Sequence, residues 1–328
     1  MSSPIIVSRT PFRLSLGGGS TDLPSYYEKH GGFVFGVTIN LYMDVFVKEP
    51  RSDDLVHVHY KHFESVPHAK EVTHDIARQA LFMRGLTTKV AISFKADTPA
   101  GTGLGSSGAC AVAVLKGLAV YQKKKLSNRE AAEQSFLLTQ ALGLPDGVQD
   151  PYICAEGGFV ALTIEKNGTV KVEKPRIAKR TVEKFFGNSV FYYTGVVRES
   201  KQLLAEQDAT KVQELKHRTK NIGKEIYRAF RSGDLEHFGR LMDEHWHIKK
   251  QMSSKMSTDR FDEIYAEAKR AGALGGKIMG AGGGGYFMFY CPTLKAKRAV
   301  QKALATFKMR EMHFELDTKG ARTKIITF

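Results

Sequence analysis

Apolar and β-branched residues come in short runs through the first third of the chain, broken by Gly, Asp or Pro. Residues 5–7, 12–16, 33–39, 42–47 and 55–60 therefore read as strands, and 90–95 as another. Residues 72–84 have helical spacing and stop at Gly85. An apolar helix at 109–123 follows a glycine-rich segment directly. A second helix at 127–142 opens with Ser127 and Glu130 at capping-box spacing. Strands return at 159–164 and 190–193. From residue 209 the texture changes. The segments 209–231, 235–252 and 258–271 carry apolar residues every three or four positions with charges between them, and Gly272 stands where a helix C-cap is expected. A strand at 286–291, an amphipathic helix at 294–307 and a strand at 323–328 complete the pattern. The change of texture divides the chain into two expected domains, 1–190 and 191–328.

Length agrees with that division, since 328 residues exceed what one small core needs. With 42% apolar and 25% charged residues the chain is globular, which excludes disordered and fibrous classes. Forty-nine Lys and Arg against 34 Asp and Glu leave a formal charge of +15, which favours an anionic partner. Cys110, Cys154 and Cys291 are too few and too scattered for a disulfide framework, and they point to reduced thiols in a cytoplasmic protein. The longest uncharged run, 98–115, is too short and too rich in Gly, Ser and Thr to span a bilayer. No signal-peptide apolar segment precedes Arg9.

Three glycine-rich segments carry the candidate chemistry. Pro99-Ala-Gly-Thr-Gly-Leu-Gly-Ser-Ser-Gly108 joins a strand to the apolar helix. Its glycines allow close backbone approach and the helix amides beyond favour an anion, so it reads as a phosphate cradle. A P-loop is excluded, because no G-x-x-x-x-G-K-[ST] string exists. The second segment runs from Arg9 through Arg13 and three glycines to Asp22. Asp22 either caps a helix at 23–29 or accepts hydrogen bonds from ligand hydroxyls. The third, 275–285, leads into a strand, where glycines can equally serve close backbone packing.

Taken together, residues 13–22, 99–108 and 277–285 resemble, in order and spacing, the three motifs of the GHMP small-molecule kinases, which include galactokinase, homoserine kinase and mevalonate kinase. Within that superfamily the stretch 9–44, Gly147-Val-Gln-Asp150-Pro-Tyr152, Tyr193-Thr-Gly195 with Arg198, and 276–285 look most like the D-glycero-D-manno-heptose 7-phosphate kinases. The resemblance implies an α+β fold, with an N-terminal domain like ribosomal protein S5 domain 2 and a ferredoxin-like C-terminal domain. It implies ATP held by Pro99, Gly101, Gly103, Leu104, Gly105, Ser106 and Ser107, with Ser107 also on Mg2+. Asp150 would face the attacking hydroxyl and Arg13 would stabilise charge on the γ-phosphoryl group. The acceptor would meet Gly18, Gly19, Thr21, Asp22, Arg198, Gly282 and Gly283. Many members carry a glutamate as a further metal ligand where this chain has Thr139; Glu133 or Asp146 could replace it, or waters could. The implied product is heptose 1,7-bisphosphate, for nucleotide-activated heptose and surface polysaccharide, made by a monomer or homodimer.

Other features receive plainer readings. His57, His59 and His62 lack a nearby acid or Cys to complete a metal set, and His245 and His247 cannot face each other on a helix. Trp246 reads as core. Gly103-Leu-Gly105-Ser-Ser-Gly108 also fits the dinucleotide fingerprint, but the position about 20 residues on is a helix end rather than an acidic strand end. RNA binding would need interleaved aromatic and basic residues on a strand, which are absent from the sequence.

Overall fold

The computed structural model describes residues 4–144, 146–197 and 212–327. In it the runs at 5–7 and 12–16 form one strand, β1 (Ile5–Gly17), and those at 33–39 and 42–47 form another, β2 (Gly32–Lys48). Antiparallel pairing carries β1 through Arg9 and Pro11, while β2 continues past Asn40 across a break in the ladder, where the Asn40 amide donates to the Glu315 carbonyl (3.0 Å). The irregularities are absorbed as register shifts between Pro11 and Arg13 and between Ser15 and Gly17. Along β1, Phe12, Leu14 and Leu16 point into the core, while Arg13 and Ser15 on the opposite face line a cavity.

Between β1 and β2 lies α1 (Pro24–His30). Its N-cap is Leu23 with no side-chain bond, so Asp22 does not cap it. Then come β3 (Val56–His59), β4 (Phe63–Val66), α2 (Asp75–Arg84) and β5 (Val90–Ala96). The helices α3 (Ser106–Tyr121) and α4 (Asn128–Ala141) follow, the latter opened by the full capping box of Ser127 and Glu130. Next is α5 (Gln149–Glu156), with Pro151 in its first turn. Proline there removes no needed hydrogen bond, because the first-turn amides have no partner within the helix. The half closes with β6 (Phe159–Ile164), β7 (Val170–Glu173) and α6 (Lys179–Asn188).

The remaining elements are β8 (Ser189–Tyr193), α7 (Gln213–Ser232), α8 (Leu235–Met252), α9 (Asp259–Arg270), β9 (Gly275–Ile278), β10 (Tyr286–Tyr290), α10 (Leu294–Leu304), β11 (Arg310–Met312) and β12 (Arg322–Ile326). Among the described residues, eight strands form the first sheet along the order β12-β1-β2-β5-β3-β4, with β6 on the other half of β2 and β7 on β6. Four form the second, in the antiparallel order β11-β8-β10-β9. This is an α+β arrangement. The last strand crosses back. Pairing of Ile5 with Ile326 puts β12 in the first sheet, so residues 191–328 contribute to both. Helix α3 packs on β1 and β2 in the first core, while Trp246, Tyr265, Phe287 and Phe289 fill a second core on the smaller sheet. All three cysteines are free and buried.

Candidate active site

A cavity of about 1000 Å³ lies where the two halves meet. Its floor is the segment between β5 and α3. Gly101, Gly103 and Gly105 there have φ of 77°, 81° and 78°, a left-handed backbone that side chains resist. Gly105 is the N-cap of α3 and has no side chain to bond the first-turn amides, which leaves that turn suited to an anion. Pro99, Ser106 and Ser107 line the cavity beside it, whereas Leu104 is wholly buried and its carbonyl accepts from the Arg13 amide (3.0 Å).

Arg13, 3% exposed, reaches this loop from β1. Its Nη1 donates to the Gly103 carbonyl (2.7 Å), and Nε and Nη2 both donate to Oδ1 of Asp150 (2.9 and 2.6 Å). Asp150 stands in the first turn of α5, where a carboxylate also complements the helix dipole. Residues 137 positions apart are thereby joined at the edge of the phosphate loop.

Asp22 is buried on the same cavity. Its Oδ2 accepts from the Gln149 amide (3.0 Å), and Gln149 in turn accepts from the Ser15 hydroxyl (2.9 Å). Burial pushes the Asp22 carboxyl up to about 6; the amide bond opposes this, and the Asp150 charge adds to it. Asp146 lines the cavity as well, and burial followed by the Asp150 charge pushes it up to about 6 while a bond from Ser107 pulls the other way. Among the described residues, its buried Oδ2 has no hydrogen-bond partner.

The other end of the cavity is apolar. Met43, Ile76, Phe94 and Ala96 wall it, and His74 stacks on Phe94 at 4.8 Å. Such a slot suits a flat heterocycle beside the phosphate loop. The sequence reading did not single it out, because its residues come from separate strands and helices.

Some residues expected at the acceptor have other work. Gly19 faces the cavity, but Gly18 forms a turn where a Cβ would lie 1.9 Å from the Phe33 carbonyl oxygen. Thr21 braces that turn, bonding the Gly18 carbonyl (2.8 Å) and accepting from the Phe33 amide (3.1 Å). Gly282 and Gly283 sit on Met256: a Cβ on Gly282 would meet its Sδ at 1.9 Å, and the Gly283 amide donates to its carbonyl (2.9 Å). Gly280 and Ala281 face the cavity instead. Arg198 lies outside the described residues. Elsewhere, His57 pairs with Asp53 (3.0 Å) and stacks on Phe63, and Trp246 is core.

The third glycine segment packs against the first. A Cβ on Gly280 would lie 2.6 Å from the Gly103 Cα, and one on Gly285 2.0 Å from the Thr102 carbonyl oxygen. Close approach of the two loops is thus the reason for these glycines. Two family models match this architecture: GHMP kinases N terminal domain over residues 68–158, and GHMP kinases C terminal over 226–309. The chain belongs to the GHMP kinases. GHMP kinases use ATP as phosphate donor, and this chain is an ATP-dependent kinase. Among its relatives, the D-glycero-alpha-D-manno-heptose 7-phosphate kinase of Campylobacter jejuni is 27% identical over 337 residues, spanning 97% of this chain and 98% of that one. The mevalonate kinase of Thermococcus gammatolerans is 30% identical over 236 residues, 68% of this chain and 64% of that one. The crystal structure of a D-glycero-D-manno-heptose 1-phosphate kinase from Bacteroides thetaiotaomicron superposes with a TM-score of 0.82 at 25% identity, covering 98% of this chain and all of that one. Among the described residues of this GHMP kinase, no helix is long and apolar enough to cross a membrane.

Proposed function

We propose that this GHMP kinase is a sugar kinase that transfers the γ-phosphoryl group of ATP to the anomeric hydroxyl of D-glycero-D-manno-heptose 7-phosphate. The observation that carries the reading is the Asp150 carboxylate, held by Arg13 in one cavity with the phosphate loop and the buried acid Asp22. The near full-length likeness to the Campylobacter jejuni enzyme supports the choice of sugar.

Arg13 spends both of its bonds to Asp150 on Oδ1, so Oδ2 is not engaged by the guanidinium. That carboxylate takes the proton of the sugar hydroxyl as its oxygen bonds to the γ-phosphorus. The bond from phosphorus to the β,γ-bridging oxygen breaks, and ADP leaves with the electron pair. Arg13, fixed between Asp150 and the Gly103 carbonyl, meets the charge that develops on the moving group. Asp22 accepts hydrogen bonds from the sugar. ATP phosphates lie over 99–108, on the side of residues 1–190, and the base lies in the slot by Phe94.

The family implies Mg2+, a hard cation that takes oxygen ligands and keeps waters. The residues present fit it, since the Ser107 hydroxyl and the orphaned Oδ2 of Asp146 offer two oxygens at the head of α3. Thr139, at the family's glutamate position, bonds the Phe136 carbonyl (2.9 Å), and Glu133 pairs with Arg129 (2.7 Å) on the surface. Asp146 is therefore the acid that would hold the ion, which would neutralise phosphate charge. Ser107→Ala is expected to raise KM for Mg·ATP roughly 10–100-fold, the worth of a bond to a charged group, and to leave the acceptor KM within about twofold. Equal effects on both would remove Ser107 from the nucleotide site.

The deciding experiment is an ATP-consumption screen over free and phosphorylated hexoses and heptoses. A distal phosphate lends binding energy to orientation at the far hydroxyl, so kcat/KM for heptose 7-phosphate should exceed that for the free heptose by about 10²-fold or more. With a formal charge of +15, added salt should weaken acceptor binding. We assign the distal phosphate to Arg198, so Arg198→Ala should erase most of the preference. Equal kcat/KM for the two sugars would sink the substrate assignment and leave the kinase standing. A preference for another sugar would redirect it.

A further inference from the structure

We propose that Gln149 selects the acceptor: its side-chain amide and the Asp22 carboxylate read two adjacent hydroxyls as a donor–acceptor pair, and Ser15 fixes which end of the amide does so. The inference rests on the sugar-kinase reading above and deepens it from a single acid to a matched pair of groups.

Folding brings three distant residues to one wall of the cavity. Ser15 comes from β1, Asp22 from the turn before α1, and Gln149 opens α5. The backbone of residues 147–149 wraps the Asp22 carboxylate. A Cβ on Gly147 would lie 2.0 Å from its Oδ2, and the Gln149 backbone amide donates to that same oxygen (3.0 Å). Oδ1 faces the Gln149 side chain, whose Nε2 stands 3.4 Å away. Chemistry decides which end of the amide points there. An ionised carboxylate only accepts, so the NH2 end must face Asp22. The carbonyl end then accepts from the Ser15 hydroxyl (2.9 Å), which the buried strand holds in place.

A primary amide has two N–H donors. One is directed at Asp22 Oδ1, and the planar NH2 group turns the other away from it. Gly19 keeps the amide uncovered. Its φ is not left-handed, so the backbone does not demand glycine there. A Cβ on Gly19 would meet the Ser15 Oγ at 3.6 Å and the Gln149 Nε2 at 4.0 Å, which are ordinary contact distances. A side chain at this position would therefore fit, and it would shield the amide from the cavity. An acceptor and a donor 3.4 Å apart suit hydroxyls on neighbouring carbons, one giving its proton to Asp22 and the other taking one from Gln149. The pair thus favours a polyol. An alcohol with one hydroxyl leaves half of the pair unmatched, and one that brings its own carboxylate meets the Asp22 charge.

The test compares heptose 7-phosphate with three analogues, each lacking one ring hydroxyl, in wild type, Q149M, S15A and G19A. KM for Mg·ATP and thermal midpoints are measured alongside. Wild type should lose about 10–100-fold in kcat/KM on each of two neighbouring deletions, the scale for leaving a buried polar group unpaired. In Q149M one of those two penalties should shrink to within about threefold while the other persists, because the contact is already gone. S15A should shrink the same penalty in part. G19A should raise the acceptor KM about tenfold, leave KM for Mg·ATP within about twofold and not lower the thermal midpoint. Penalties unchanged in Q149M would overturn the proposal and leave Gln149 a brace for Asp22, since a residue that only holds the loop slows every sugar alike. Should Q149M not fold, S15A and G19A make the same comparison. A wild-type acceptor without adjacent hydroxyls would also overturn the proposal and leave the kinase standing. Turnover of another sugar in place of heptose 7-phosphate would sink the substrate assignment alone, and the deoxy analogues of that sugar then serve the comparison.

Discussion

Asp150→Asn is expected to lower kcat by about 10²–10⁴-fold, the range for removing a general base, while Mg·ATP affinity stays within a few-fold. Asparagine keeps the shape and can still accept from Arg13, but it cannot take the sugar proton. The variant also leaves the buried Arg13 guanidinium facing a neutral group. Removing one partner of a buried ion pair costs about 3–5 kcal/mol, so the ligand-free variant should melt earlier than wild type. Bound nucleotide supplies anionic charge nearby, and the gap in melting temperature should narrow in saturating Mg·ATP. Steady-state kinetics with thermal melts in both states provide the check. A variant that kept most of its kcat would reduce Asp150 to a holder for Arg13.

Asp22→Asn should move activity and stability in opposite directions. Burial pushes the Asp22 carboxyl up to about 6, against 3.8 for the free group. Because the folded value is the higher one, protonation favours the fold. The stability it lends is present below about pH 4 and is lost as pH rises through 6. Above that, the ionised carboxylate destabilises the fold by about 3 kcal/mol, taking 1.36 kcal/mol per pKa unit. Asparagine has no such charge and can still accept the Gln149 amide. Its melting temperature at pH 8 should therefore exceed that of wild type by several degrees, and the difference should vanish near pH 4. The acceptor KM should rise about 10²-fold with loss of the carboxylate that meets the sugar hydroxyls, a loss of roughly 2.7 kcal/mol. A variant that was less stable than wild type at pH 8 would show that the charge of Asp22 is satisfied where it stands.

The sequence was most informative where residue type dictates backbone. Gly101, Gly103 and Gly105 all take left-handed φ, the bonds of Ser127 and Glu130 are both made, and α8 occupies 235–252 as its spacing indicates. What stayed hidden depends on partners distant in the chain. β2 continues past Asn40 because the Asn40 amide finds the Glu315 carbonyl (3.0 Å) where its pairing with β1 shifts, and Pro151 is accommodated because it falls in the first turn of a helix that opens at Gln149. The roles of Gly282 and Gly283 follow from Met256, a neighbour that spacing does not reveal. Asp146 could be named from the sequence as one possible metal ligand, but its orphaned oxygen beside Ser107 is a property of the folded loop. Lys249, which lines the cavity from the C-terminal half, did leave a trace, as a charge on the apolar stripe of an amphipathic helix, a signal weaker than any glycine string.

The return of the chain to the first sheet restricts how the cavity can open. The polypeptide leaves that sheet before β8 and comes back at Leu316, which bridges to Ile39, and Asp317, whose carbonyl accepts from the Thr38 hydroxyl (2.6 Å), before β12 zips onto β1. The C-terminal half is also held by α7, which seats on β1 so closely that a Cβ on Gly17 would lie 2.7 Å from the Gly223 Cα. Phe12, Leu14 and Leu16 of β1 share one apolar core with Ile222, Ile226 and Phe230 of that helix. The cavity between the halves is thus assembled on folding, and a substrate that enters it spends none of its binding energy on ordering one half against the other.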